Sequence, residues 1–156
     1  MGYRQRSGAM DKILSSALSR LHKDVLKPRG YRKTSATFIR ERTSYTELIN
    51  VQASPWNGPW GRSFHVNCGV RFRDLPIETP GSHVPNTHWS ARMDVIVPDS
   101  PAQWKYSDAA DMAQLMQALG ADVVRASEQL AADAQRIRHD YLARAGKQGT
   151  VEPPRA

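Results

Sequence analysis

The chain has 156 residues, 40% of them hydrophobic and 24% charged, which is the size and make-up of one globular domain. A chain of this length buries about two-thirds of its unfolded surface and needs neither disulfides nor a metal to fold. The hydrophobic fraction excludes a wholly disordered protein, and apolar runs as short as Val95-Ile96-Val97 exclude a membrane span.

Lys and Arg number 22 against 15 Asp and Glu, a formal charge of +7. The charge is uneven: residues 1–73 hold 14 basic and 4 acidic groups, net +10, while residues 74–156 hold 8 and 11, net −3. Such asymmetry favours a polyanion or an acidic protein surface as partner. The plainer alternative is a solvated surface biased by coding, since 16 of the 22 basic residues are Arg. Cys68 is the only cysteine, so no internal disulfide forms and a reducing compartment fits. Met1-Gly-Tyr-Arg-Gln-Arg6 lacks the apolar core of a secretory signal and carries Arg6 where myristoylation needs Ser or Thr. A cytoplasmic location is therefore expected.

Residues 1–9 show no periodicity and read as a loose arm before a single domain over 10–145. Ile13, Leu14, Ala17, Leu18, Leu21, Val25 and Leu26 recur at steps of three and four, predicting a helix over 10–26. Asp11 suits its first turn, and Pro28 and Gly30 end it. From Tyr31 the period becomes two, which predicts a strand over 31–41 and a second over 45–53, joined as a hairpin through 42–44. Ser54–Gly61 is a loop dense in turn formers. Phe64, Val66, Cys68, Val70 and Phe72 then alternate strictly with His65, Asn67, Gly69, Arg71 and Arg73, the pattern of a strand with one buried and one wet face. After a long loop over 74–87, Trp89, Ala91, Met93, Val95 and Val97 alternate again and predict a fourth strand, closed by Pro98 and Pro101. Ser107, Asp108 and Asp111 mark a helix start. The following apolar stripe runs in one phase from Met112 to Tyr141, as one helix across Gly120 or two meeting there. Residues 146–156 read as a disordered tail. One helix, four strands on short connections and a helical end predict an α+β fold: an antiparallel sheet with helices on one face.

Leu26-Lys-Pro-Arg-Gly-Tyr-Arg-Lys33, Phe38-Ile-Arg40, Ile49-Asn-Val-Gln-Ala-Ser54 and Phe64-His-Val-Asn-Cys-Gly-Val70 give the segment Leu26–Phe72 its resemblance to a bacterial domain-of-unknown-function family. The resemblance implies the same α+β fold and a bacterial or phage origin. It implies no activity and no site.

No established catalytic or metal pattern stands out. His65 and Cys68, three apart on a strand, fall on opposite faces, and His83 with His88 lacks a third ligand, so no metal and no cofactor are expected. Gly61-Arg62-Ser63-Phe64-His65 lacks the second Gly of a nucleophile elbow. Alternation buries Cys68, which removes it as a nucleophile. What remains is the wet face, where Asn50, Gln52, His65, Asn67, Arg71, Arg92 and Asp94 are expected to point together, with Trp56, Trp60 and Arg62 in the loop at one edge. Trp and Arg are the residue types of binding hot spots, although both tryptophans equally suit apolar contacts at the sheet edge. The expectation is a non-enzymatic protein-binding module of the inhibitor or immunity type, with an acidic protein surface as partner. Nucleic-acid binding through the basic half is the alternative, and an enzyme using His65 as acid or base is a second.

Overall fold

The computed structural model describes residues 11–59 and 61–149. The arm expected at 1–9 and the last part of the expected tail lie outside them. Asp11 opens α1 (Lys12–Leu21) by accepting the Leu14 N–H at 2.8 Å, so one of the unpaired donors of the first turn is satisfied. The chain continues through a π turn (His22–Leu26) and a 3-10 turn (Lys27–Arg29). It stops at Gly30, whose φ of +92° is left-handed and suits glycine.

The sheet has six strands, β1 (Arg32–Thr34), β2 (Thr37–Glu41), β3 (Thr46–Ala53), β4 (Arg62–Arg71), β5 (Trp89–Arg92) and β6 (Trp104–Tyr106), all antiparallel. The first five stand in chain order, and β6 shares one edge of β4 with β5. β5 pairs residues 67–70 of β4 and β6 pairs residues 62–64. Two strands therefore exceed the sequence expectation. The strand predicted over 31–41 is broken at Ser35, whose φ is +52°, by a turn that contains no Gly, Asn or Pro to announce it. β6 is only three residues long, too short to show a period.

The strand predicted over 89–97 ends at Arg92, and Met93–Ile96 form one helical turn, α2. Met93 and Val97 stand four apart, a spacing that a helical turn buries as well as a strand does, and both are buried. Val97 N–H closes the turn on Met93 O at 2.8 Å. Val95, which alternation would bury, is 66% exposed.

Ser107 and Asp108 start α3 (Ala109–Gly149), with Asp108 Oδ1 accepting the Asp111 N–H at 2.9 Å. The helix is a single element through Gly120 and passes the boundary expected at 145. At Gly120 it meets α1, for a Cβ there would stand 3.3 Å from Leu21 Cδ1. α1 and α3 bury Leu14, Leu18, Met112, Leu119, Val123 and Leu130 with Phe38, Ile49, Val51, Phe64, Val66 and Val70 of the sheet. Phe64 stacks on Trp104 with centroids 5.9 Å apart. The fold is α+β, and both long helices lie on one sheet face.

The long loop after Phe72 is fastened to α3. Arg138 donates to Asp74 twice, at 2.8 and 2.7 Å, and the Tyr141 hydroxyl accepts the Glu78 N–H at 2.7 Å. Buried His88 accepts the Phe72 N–H on Nδ1 at 2.9 Å, so its Nε2 is the nitrogen that donates toward Leu75 O at 3.1 Å. His88 is thus a loop anchor, while His83 is exposed. Among the described residues no group of three His, Cys, Asp or Glu could hold a metal ion, and no helix is long and apolar enough to cross a membrane.

Candidate functional site: a divided polar face and a buried carboxylate

Register decides which side chains share a face. β3 and β4 set Asn50 opposite Asn67, Gln52 opposite His65 and Thr46 opposite Arg71, and β5 sets Arg92 opposite Asn67. Alternation then places Asn50, Gln52, His65, Asn67, Arg71 and Arg92 on the face turned away from the helices. Cys68 lies on the helix side, and burial raises its thiol pKa, which keeps it unreactive.

Two expected members fall elsewhere. Asp94 belongs to α2, because the chain leaves the sheet after Arg92. Arg62 is the first residue of β4 and pairs with Tyr106, so it shares parity with Phe64 and faces α1. There its Nη1 lies 3.5 Å from Asp11 Oδ2, and Asp11 also accepts from the Tyr106 hydroxyl. Trp60 lies outside the described residues.

The polar face is divided. Val84 and Thr87 of the long loop settle over Gly69, and both are buried. Arg71 is therefore cut off from Asn67 by a roofed position. On the other side of that roof, buried Asn67 donates from Nδ2 to Asn50 Oδ1 at 3.3 Å and to Gln52 Oε1 at 3.2 Å. Its Oδ1 and the Nη1 of cross-strand Arg92 are both buried without a hydrogen-bond partner among the described residues, a costly state for polar atoms. His65 Nδ1 lies 2.9 Å from Ala102 O. Gln52 is exposed, and Asn50, His65 and Arg92 are half-buried. This is the open half of the face.

The β3–β4 loop carries Trp56 at the same end of the sheet as Gln52 and His65, and its residue surface is 72% exposed. The loop is braced. Asn57 donates from Nδ2 to Ser63 O at 3.1 Å and accepts the Ser63 N–H at 2.8 Å. Ser54 Oγ accepts the Trp56 N–H at 3.2 Å, the Ser54 N–H bonds to Ser63 O across the loop base at 3.0 Å, and Gly58 and Gly61 bond to each other further out.

A second cluster lies on the helix side and was not among the sequence expectations. Glu47 is 0% exposed, and both carboxylate oxygens accept a hydroxyl hydrogen, one from Tyr31 and one from Ser127 at 2.7 Å. Arg40 Nη1 donates to Ser127 Oγ at 3.4 Å, and its guanidinium carbon lies 5.5 Å from the Tyr31 ring centroid. Burial, then the neighbouring Glu47 carboxylate, raises the Tyr31 pKa. Above this floor opens a concavity of about 170 Å³, walled by Arg29, Arg40, Arg42 and Glu128. The signal was present in the sequence: Glu47 has the same parity as Ile49, Val51 and Ala53, so alternation alone places a carboxylate on the core side of β3.

No curated protein and no solved structure matches the chain. Residues 22–132, which run from the π turn past Ser127 and so hold both clusters, match the family described as a domain of unknown function, DUF4304, and the chain belongs to that family.

Proposed function

We propose that the protein is a non-enzymatic protein-binding module of the inhibitor or immunity type. It meets an acidic partner surface through Trp56 and the open half of the outer sheet face. The observation that carries this reading is Trp56. A tryptophan that is 72% exposed leaves apolar area in water that a partner would bury. Its loop is already fixed by backbone and Asn57 hydrogen bonds, so little conformational freedom is lost on contact. Trp is among the residue types that dominate hot spots, and Asn50, Gln52 and His65 supply the polar surround such an anchor needs. The formal charge of +7 supports an acidic partner.

The alternatives draw less support. In the basic half, Arg32 and Arg73 are paired with Glu41 and Arg62 with Asp11, which leaves fewer cations for phosphates. His65 has one ring nitrogen engaged by Ala102 O and forms no ion pair among the described residues, so no carboxylate orients it as a base.

The test uses the tagged chain and its Trp56→Ala variant as baits in a lysate of the source cells. The expected result is a stoichiometric partner on the first bait that is lost from the second, with both baits equally folded by circular dichroism. Equal recovery on both, or none on either, contradicts the reading.

A further inference from the structure

We propose that the concavity walled by Arg29, Arg40 and Arg42 is a binding site for a carboxylate. It lies on the helix side of the sheet and stands independently of Trp56. Three observations carry it. First, none of the three guanidinium groups forms an ion pair with a carboxylate among the described residues, whereas Arg32, Arg62, Arg73, Arg125, Arg136 and Arg138 all do. Second, Arg40 is held in place from below, by Ser127 Oγ and by the face of Tyr31, both tied to Glu47. A guanidinium fixed in this way is organised for a planar oxyanion before the ligand arrives. Third, the charges decide between anions. Three arginines against Glu128 in the wall and Glu47 beneath leave a surplus of +1 at full ionisation, which one carboxylate balances and a phosphate dianion exceeds.

A purely structural role is the competing explanation, in which the arginines only offset the buried Glu47. The two are separated by titration of the folded chain at constant ionic strength, followed by the arginine side-chain N–H signals in NMR. The probes are acetate, an acetylated and amidated Gly-Glu-Gly peptide whose only charge is its side chain, inorganic phosphate, and chloride. The expected result is a saturable shift at Arg40 and Arg42 with both carboxylates. It should weaken about tenfold in Arg29→Gln and Arg42→Gln, roughly 1.4 kcal/mol each. These two variants leave the Tyr31–Glu47–Ser127 floor untouched, so both should fold. Tighter binding of the peptide than of acetate assigns the ligand to a protein side chain, and equal binding assigns it to a free acid. Saturation by phosphate but not by the carboxylates overturns the proposal, as does a response no different from that to chloride.

Discussion

Thr87 lays its methyl group over Gly69 on the helix-free side of the sheet, so close that a Cβ at position 69 would stand 2.7 Å from it. This contact holds the long loop to the strand and splits the polar face in two. Gly69→Ala would force Thr87 and Val84 to move, and the expected cost is about 1–3 kcal/mol, the range for inserting a methyl group into a filled site. Urea unfolding measures it, and limited proteolysis should cut first within 73–88. A variant as stable as the parent would show that the loop is not seated on Gly69.

The hydroxyls of Tyr31 and Ser127 both depend on one acceptor. Glu47→Leu removes that acceptor and leaves two buried donors unpaired, at an expected cost of about 2–5 kcal/mol. Removing the donors as well, in Glu47→Leu/Tyr31→Phe/Ser127→Ala, should recover part of the loss, because an apolar replacement leaves nothing unsatisfied. Denaturant midpoints of the single and triple variants decide it. A triple variant less stable than the single one would contradict the described network.

Alkaline stability follows from the same burial. Tyr31 and Tyr106 have raised pKa values in the fold, mainly by burial and then by Glu47 and Asp11 respectively. The unfolded chain releases these protons near pH 10, so stability is full below that pH and falls as pH rises above it. Tyrosinate absorbance should show these two rings ionising only together with unfolding. At the acid end the sign reverses. Thr46 and two arginines lower the Glu41 pKa, Arg138 that of Asp74 and Arg125 that of Asp99, and stability falls as these groups take up protons below about pH 4.

Much of this architecture was legible in the chain. Strict alternation from Phe64 to Phe72 gave β4 and its faces, and Asp11, Gly30 and Ser107-Asp108 marked helix ends by their chemistry. What was hidden has physical causes. The Ser35 turn contains no Gly, Asn or Pro, and Met93 and Val97 satisfy two periods at once. The roof over Gly69 is a tertiary contact between segments that no local pattern links. Arg62 reads as a loop residue because β6, which holds it in the sheet, is too short to show a period. Glu47 carries its own signal, since its parity with Ile49 and Val51 places it inside.

Trp56→Ala should change stability by less than about 0.5 kcal/mol, because the exposed ring adds little to the core. The same change should weaken partner binding by about 2 kcal/mol or more if the indole is a hot spot. Thermal unfolding and partner affinity read the two effects separately.

The central claim is that this surface meets the acidic partner. A photo-crosslinking residue placed at position 56 and, in a second sample, at exposed Gln129 on α3 addresses it directly. The account requires one discrete crosslinked protein from position 56 that is not crosslinked from position 129. Crosslinks from position 129 alone, or the same faint background from both, would contradict it.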